Sequence, residues 1–454
     1  MQKVIRPKFT VARRRLSWAC LLVATLTVAC GDEEGPRSSS LTYHDDIAPL
    51  LAENCVACHQ PGAIAPFSLT GYDEVASRAA GIEAATGSRQ MPPNIIDNSG
   101  ECETYSGIRW LSDEQIDMVS RWVEDGAPEG DAPSRPPAPP PVGSLEGELV
   151  TATMAEPYLP PARGGDVYRC FRVPLDVERD TFVVGFDAFP GNRELVHHLT
   201  LWTFDPQGPY MGGESTNAAS VAQLDAADDV PGWDCLALDL GVTFSGMPVL
   251  WTPGTPATHF PAGTGLPLRR GDEAVLQVHY HPRQGAEPDL TAVALAVEDE
   301  VEAAAQLILA DGLLDTLFDG EPFAMAPGSE SVSFTWEGDL SYMMTPPALP
   351  PPDELPPFVD LYAIYPHMHT AGSSWQADLV RDDDASCVAR VPRYDFDWQQ
   401  MFMYAEPVRM NNGDRMRVTC EYDTRSRTGL TLPGFQTSDE MCTAGVYIVP
   451  PPRT

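Results

Sequence analysis

After Lys8 the chain has no lysine at all. Every later basic residue is an arginine, and with 65 acidic against 29 basic residues the formal charge is -36. Such a surface repels phosphate backbones, which excludes nucleic acid as a partner and argues against anionic lipid. Long apolar runs are scarce as well. The longest, Leu16 to Ala29, is too short to cross a bilayer as a helix. Repeats of solenoid length are absent, which excludes stacked-repeat architectures. Helical periodicity is sparse after residue 140, and the 45 prolines cut the remainder into short runs. The length of 454 residues allows about three domains.

The apolar run has the flanks of an export signal. Lys3, Arg6, Lys8 and Arg13 to Arg15 precede it, and Leu26-Thr27-Val28-Ala29-Cys30-Gly31 closes it. It resembles a bacterial lipoprotein signal, which implies removal of residues 1–29 and lipidation of Cys30. Cleavage by an ordinary signal peptidase near Ala29 is the alternative, since Thr27 stands where that signal usually has leucine. Loss of the six basic residues takes the charge from -36 to -42. The expected location is the bacterial cell envelope, on the periplasmic side or the outer membrane, with residues 30–40 as a tether.

Cys55-Val56-Ala57-Cys58-His59 has the spacing that attaches a c-type haem: two thiols bond the porphyrin and the histidine ligates the iron. A redox dithiol or half of a zinc site shares the spacing, but no second C-x-x-C follows and the flanks are not βαβ. Met91, in Gln90-Met91-Pro92-Pro93, is the candidate second axial ligand. Ile47, Leu50, Leu51 and Cys55 line one helical face, predicting a helix that carries the cysteines. Ser112 and Gln115 form a capping box opening a helix through Ile116, Val119, Trp122 and Val123, with Gly126 as its stop. Residues 41–128 resemble a small cytochrome c domain. The Pro-rich stretch 129–143 predicts a semi-rigid spacer on which that domain swings.

Beyond the spacer, runs such as Thr181 to Phe186 and Ala274 to Tyr280 alternate as half-buried strands. Histidines recur on them. His197 and His198 are adjacent, His279 precedes Tyr280, and His367 and His369 are two apart. Residues two apart on a strand share a face, so His367 and His369 suit one metal. Adjacent His197 and His198 do so only at a twist or bulge. Imidazole suits copper, zinc, iron or nickel; scattered, hydrogen-bonded strand histidines are the alternative. His281 could be a spare ligand beside His279, but it is expected to face solvent; Met343, Met344, Met401 and Met403 are expected to pack in the core rather than form extra copper sites.

In order, His197-His198, Leu276-Gln277-Val278-His279-Tyr280, His367-Met368-His369 and Asp439-Glu440-Met441-Cys442 resemble the motifs of the copper type II, ascorbate-dependent monooxygenases, the family of peptidylglycine α-hydroxylating and dopamine β-monooxygenases. The resemblance covers roughly residues 145–450. Together with the cytochrome-like segment it implies a multidomain chain: a small all-α cytochrome c domain, then two all-β sandwich, jelly-roll-like copper domains at 144–300 and 301–454. It implies an electron-transfer copper on His197, His198 and His279. A second copper, where dioxygen reacts, is implied on the catalytic set His367, His369 and Met441. The implied partners are dioxygen and a small organic substrate, with ascorbate as reductant; the fused cytochrome-like segment suggests a periplasmic donor, with the haem as an internal relay. The alternative is a non-catalytic copper and haem electron-transfer lipoprotein.

The resemblance also implies disulfides Cys170–Cys235 and Cys420–Cys442. Cys102 and Cys387 remain, and whether they pair is open. An arginine that holds a peptide carboxylate in the amidating branch is replaced by Tyr365, and an asparagine and a tyrosine by Thr443 and Gly445. Peptide amidation is therefore not expected.

Overall fold

The computed structural model describes residues 41–451, apart from 62, 64, 94, 132–143, 163–166, 211–212, 228, 236–239, 254, 319, 321, 345–354, 383 and 435–437. The export signal, Cys30, the tether and most of the spacer lie outside the described residues.

The chain enters through a one-turn π-helix, Tyr43–Ile47, whose N-cap Thr42 accepts the Asp45 N–H. The α-helix Ala48–Asn54 follows directly. Ile47, Leu50 and Leu51 are buried as their spacing predicts. The helix stops at Cys55, however, so only the first thiol caps it, while Cys58 and His59 stand on the irregular turn beyond. Short helices Tyr72–Ala76 and Ala79–Gly87 lead to Asp113–Glu124, where Ser112 and Gln115 form the expected reciprocal capping box. Val119 and Trp122 are fully buried in this helical unit. Trp122 Nε1 donates to the Pro128 carbonyl at 3.0 Å. Gly126, at φ +86°, ends the helix in the left-handed region open to glycine.

Between those helices the chain leaves its own unit. Ile95, Ile96 and Tyr105 are buried in the core of the C-terminal sandwich. Tyr105–Ser106 adds an edge strand beside Phe402–Asn411. The Tyr105 hydroxyl donates to the Val388 carbonyl, Arg390 Nε reaches Asp97 at 3.0 Å, and Cys102 bonds Cys387. Each buried apolar side chain contributes about 1.5–3 kcal/mol, and the covalent bridge about 2–4. The expectation of a unit swinging on a Pro-rich spacer is corrected by these contacts: the helical unit is bolted to the C-terminal sandwich.

The rest of the chain is β. In the first sandwich, one sheet has the spatial order Trp233–Asp234, Val167–Val173, Glu273–Tyr280, Val196–Phe204, Gly246–Trp251. It packs its inward residues, among them Leu199, Leu201 and Leu276, on a sheet built from Thr181–Phe189, Ala292–Glu298 and their neighbours. In the second sandwich, Phe402–Asn411, Phe358–His367, Thr443–Val449 and Gln306–Asp311 form one sheet with that edge strand. Its partner sheet holds Val332–Asp339, Arg415–Tyr422, Gly372–Arg381 and Asp384–Val391. The sandwiches are in contact. Ala363, Tyr447 and Val449 join the first sandwich's core, and the Tyr447 and Thr264 hydroxyls meet at 3.0 Å. Met401 and Met403 pack there and Met343 is buried in the second core, the packing role expected of them.

Candidate metal centres

The first cluster is a product of strand register. Glu273–Tyr280 pairs antiparallel with Val196–Phe204, setting His279 opposite His198. The register then slips: Tyr280 faces Val196, and His197 is the extra residue of a β-bulge. The bulge lets adjacent His197 and His198 address one point. One ligand atom each from His197, His198 and His279 lies within 4.8 Å of the others. The Nδ1 atoms of His198 and His279 are 3.2 Å apart. Two nitrogens on one tetrahedral ion at ~2.0 Å stand about 3.3 Å apart, so the pair is spaced for a shared ion.

Electrostatics agree with that donor set. Burial, and after it the facing His279, holds His198 well below the ordinary histidine range. A neutral imidazole is the ligating form. Tyr168 stacks on the His279 ring with centroids 4.1 Å apart. Behind the histidines, Cys170 and Cys235 form the expected disulfide. His281 departs from expectation. It is half-buried, and its ring stacks on His197 at 4.1 Å, because residues 279 and 281 share one side of the chain beyond the bulge.

The second cluster lies where Phe358–His367 runs out into a turn. His367 and His369 are followed by Gly372–Arg381, and Met441 comes from the segment before Thr443–Val449. The His367 and His369 rings meet edge to face at 5.2 Å. Met441 is 1% exposed and lines the same cavity. Its backbone carbonyl accepts from the Tyr422 hydroxyl at 2.8 Å, and its neighbour Cys442 bonds Cys420 as expected.

Three residues that the motif reading left without a role organise this cluster. Glu440, completely buried, accepts the His369 N–H at 2.8 Å and the Ala371 N–H at 2.6 Å, with Arg427 at 3.3 Å. It thereby clamps the His-x-His turn to the residue before Met441. Burial pushes its carboxyl up to about 7, against the pull of those donors. Gln399 Oε1 accepts from His367 Nδ1 and, at 3.0 Å, from the Tyr365 hydroxyl. His369 Nδ1 donates to the Asp439 carbonyl at 3.2 Å. With Nδ1 protonated, Nε2 carries the lone pair of both rings, which suits a metal ion. Burial lowers His367 to about 4, so this ring is neutral too. Glu440 belongs to the Asp439-Glu440-Met441-Cys442 motif, whereas nothing in the sequence marks Gln399.

The clusters share one cavity. Its walls include Tyr168, His198 and Gln277 from the first sandwich and Tyr365, His367, His369 and Met441 from the second. Its atom-free space, open mouth included, is about 660 Å³. Trp202, Met247, Leu250, Leu309 and Phe396 give it an apolar lining without lysine or arginine. Gly445 makes room for Tyr365. A Cβ there would come within 2.8 Å of the Tyr365 Cβ and 2.9 Å of Leu309.

In the helical unit, Cys55 and Cys58 are thiols, not a disulfide. Burial pushes Cys55 up to about 12 and raises Cys58. Redox dithiols have a lowered thiol, and burial moves this pair the other way. His59 Nδ1 donates to the Phe67 carbonyl at 3.2 Å, which puts the lone pair on Nε2. These residues suit a covalently held haem. Met91 is half-buried after Ala79–Gly87, its N–H bonded to the Ala85 carbonyl.

Residues 353–451 match the model of the copper type II ascorbate-dependent monooxygenase, C-terminal domain. The chain is 22% identical over 62% of its length to tyramine beta-hydroxylase of Caenorhabditis briggsae, covering 45% of that protein. It is 26% identical over 63% to peptidyl-glycine alpha-amidating monooxygenase A of Xenopus laevis, covering 26% of it. Against dopamine beta-hydroxylase of Rattus norvegicus it is 28% identical over 62%, covering 43%. The chain thus spans less than half the length of these curated relatives. Among solved structures, that of infectious bursal disease virus Gx strain aligns with a TM-score of only 0.18 at 10% identity, over 68% of this chain and 75% of that one, too low to indicate a shared fold. The family match and the relatives together relate this chain to the copper type II, ascorbate-dependent monooxygenases.

Proposed function

We propose that the protein is a copper-dependent monooxygenase that hydroxylates a small, uncharged organic substrate with dioxygen. The observation that carries this reading is a cavity that reaches both clusters: His198 of the three-histidine cluster lines it on one side, and His367, His369 and the Met441 thioether on the other. Copper in these sites would supply one-electron steps and oxygen activation, with the thioether of Met441 favouring the reduced ion. The chain's own residues do the rest. His197, His198 and His279 would hold the electron-transfer ion, and burial keeps the His198 imidazole neutral for that role. His367 and His369 present Nε2 because their Nδ1–H groups donate to Gln399 Oε1 and the Asp439 carbonyl. The apolar walls exclude water and bind a substrate with little charge, and no basic side chain in the lining pairs with a carboxylate.

The reading extends to the helical unit. Cys55 and Cys58 would bond a c-type haem whose iron is held by His59 and Met91, and the haem would pass electrons inward from ascorbate or a periplasmic donor. The Cys58 thiol lies 3.9 Å from the Pro253 carbonyl of the first sandwich, so the attachment site abuts the sandwich bearing the three-histidine cluster. Export to the cell envelope and anchoring through Cys30 complete the proposal. Oxygen uptake by copper-loaded protein is the test, with reductant and a panel of small aromatic and aliphatic compounds. Uptake that depends on a compound, leaves a hydroxylated product and disappears in His369→Ala is expected. Reversible copper and haem redox changes with no product would establish a non-catalytic electron-transfer protein instead.

A further inference from the structure

We propose that a third metal position, for a divalent cation, lies at the seam of the two sandwiches, formed by His197, His281 and Asp397. One ligand atom from each of these residues lies within 4.8 Å of the other two. Two ligands come from the first sandwich. His197 is the bulged residue, and His281 follows Glu273–Tyr280 with its N–H bonded to the Leu195 carbonyl at 2.8 Å. The third comes from the second sandwich, on the 3₁₀ turn Phe396–Trp398, where Asp397 is positioned by its N–H bond to the Asp395 carboxylate. The next residue, Trp398, meets the His197 ring at 5.9 Å, so the turn is seated on the histidines.

The chemistry of the donors separates this position from the three-histidine cluster. Two imidazoles and a carboxylate suit a divalent, borderline ion such as Zn²⁺, and the hard oxygen disfavours Cu(I). The His197 and His281 rings are stacked, 15° from parallel, so an ion held by both requires the rings to turn toward each other on binding. A neutral imidazole has one lone pair, so His197 serves one ion at a time. The two positions therefore compete for His197. An ion on the seam ties one sandwich to the other and withdraws a ligand from the His198 and His279 pair. Zn²⁺ in excess becomes an inhibitor that acts by capturing His197, and the acidic chain concentrates such cations near its surface.

The first test is equilibrium dialysis of Zn²⁺ into the full chain carrying His198→Ala, His279→Ala and His369→Ala, which removes both clusters but spares the seam. One Zn²⁺ per chain is expected, with affinity falling at least tenfold on adding Asp397→Asn or His281→Ala. No retained Zn²⁺, or retention indifferent to both changes, overturns the proposal. Because those replacements remove buried side chains, a second arm keeps the clusters intact. Zn²⁺ is titrated into copper-loaded wild type and Asp397→Asn, and the copper released is measured. The proposal expects the variant to need at least tenfold more Zn²⁺ to displace the same copper, and equal displacement contradicts it. The dialysis arm needs no copper, so it decides the seam position even if the wild-type chain takes up no copper.

Discussion

The two histidine clusters are built by different means. The first is almost wholly a matter of strand register: three rings on two neighbouring strands, brought together by one bulged residue. The second hangs on the ends of strands. Its histidines sit at a strand terminus and the turn beyond, its methionine arrives from a segment about seventy residues later, and a buried glutamate ties them. Register is defended by every hydrogen bond in a sheet and by the core behind it. A turn held by one carboxylate is not. The first cluster is therefore expected to survive local damage, and the second to fail by single substitutions outside its ligands.

The sharpest way to break the comparison is Glu440→Ala. It strands two buried N–H groups and a half-paired Arg427, and breaking such a buried charged network costs about 3–5 kcal/mol. The urea midpoint should fall accordingly, and copper at the second cluster should be lost while the first retains its ion. Loss of both, or of neither, would show that the clusters do not differ in this way. Next in size is the bolt on the helical unit. Cys102→Ser with Cys387→Ser should lower stability by about 2–4 kcal/mol and leave copper binding at the first cluster unchanged, read by thermal unfolding and metal analysis.

A subtler change is Gln399→Leu. It removes the acceptor that fixes His367 and should weaken copper at the second cluster by roughly 10–100-fold, with no effect on the first, as measured by competition with a chelator. A further effect is expected of pH on the metal-free chain. Burial lowers His367 to about 4 and His198 well below its usual range. The unfolded chain then binds protons that the folded chain refuses. The stability contribution is full above about pH 6.5 and is lost as pH falls toward 4, with a slope set by linkage. Urea midpoints from pH 7 to 4 should fall less steeply for His367→Gln. An unchanged slope would place the titration elsewhere.

Much of this was legible in the residues themselves. Alternation gave the strands, the requirement that His197 and His198 need a bulge was met at that position, and the capping box at Ser112 opened the helix it predicted. What was not legible depends on approach between distant segments. Tyr105–Ser106 is a two-residue strand, too short to show alternation, and its pairing strand lies some three hundred residues on. The same insertion explains why Cys102 and Cys387 had no visible reason to pair. Gln399 and Asp397 belong to an irregular loop, where neither periodicity nor spacing marks a role. The exposure expected of His281 fails because its burial depends on the opposing turn, which only the packed sandwiches bring to it, while its place beside the metal ligands was legible from its spacing to His279.

The most direct test of two independent centres is the copper content of the full chain, with the Cu(II) resonance spectrum, in wild type, His197→Ala and His369→Ala. The account predicts two coppers in wild type and one in each variant, with the two variants retaining spectroscopically different ions. A single copper in wild type, or the same residual spectrum in both variants, would contradict it.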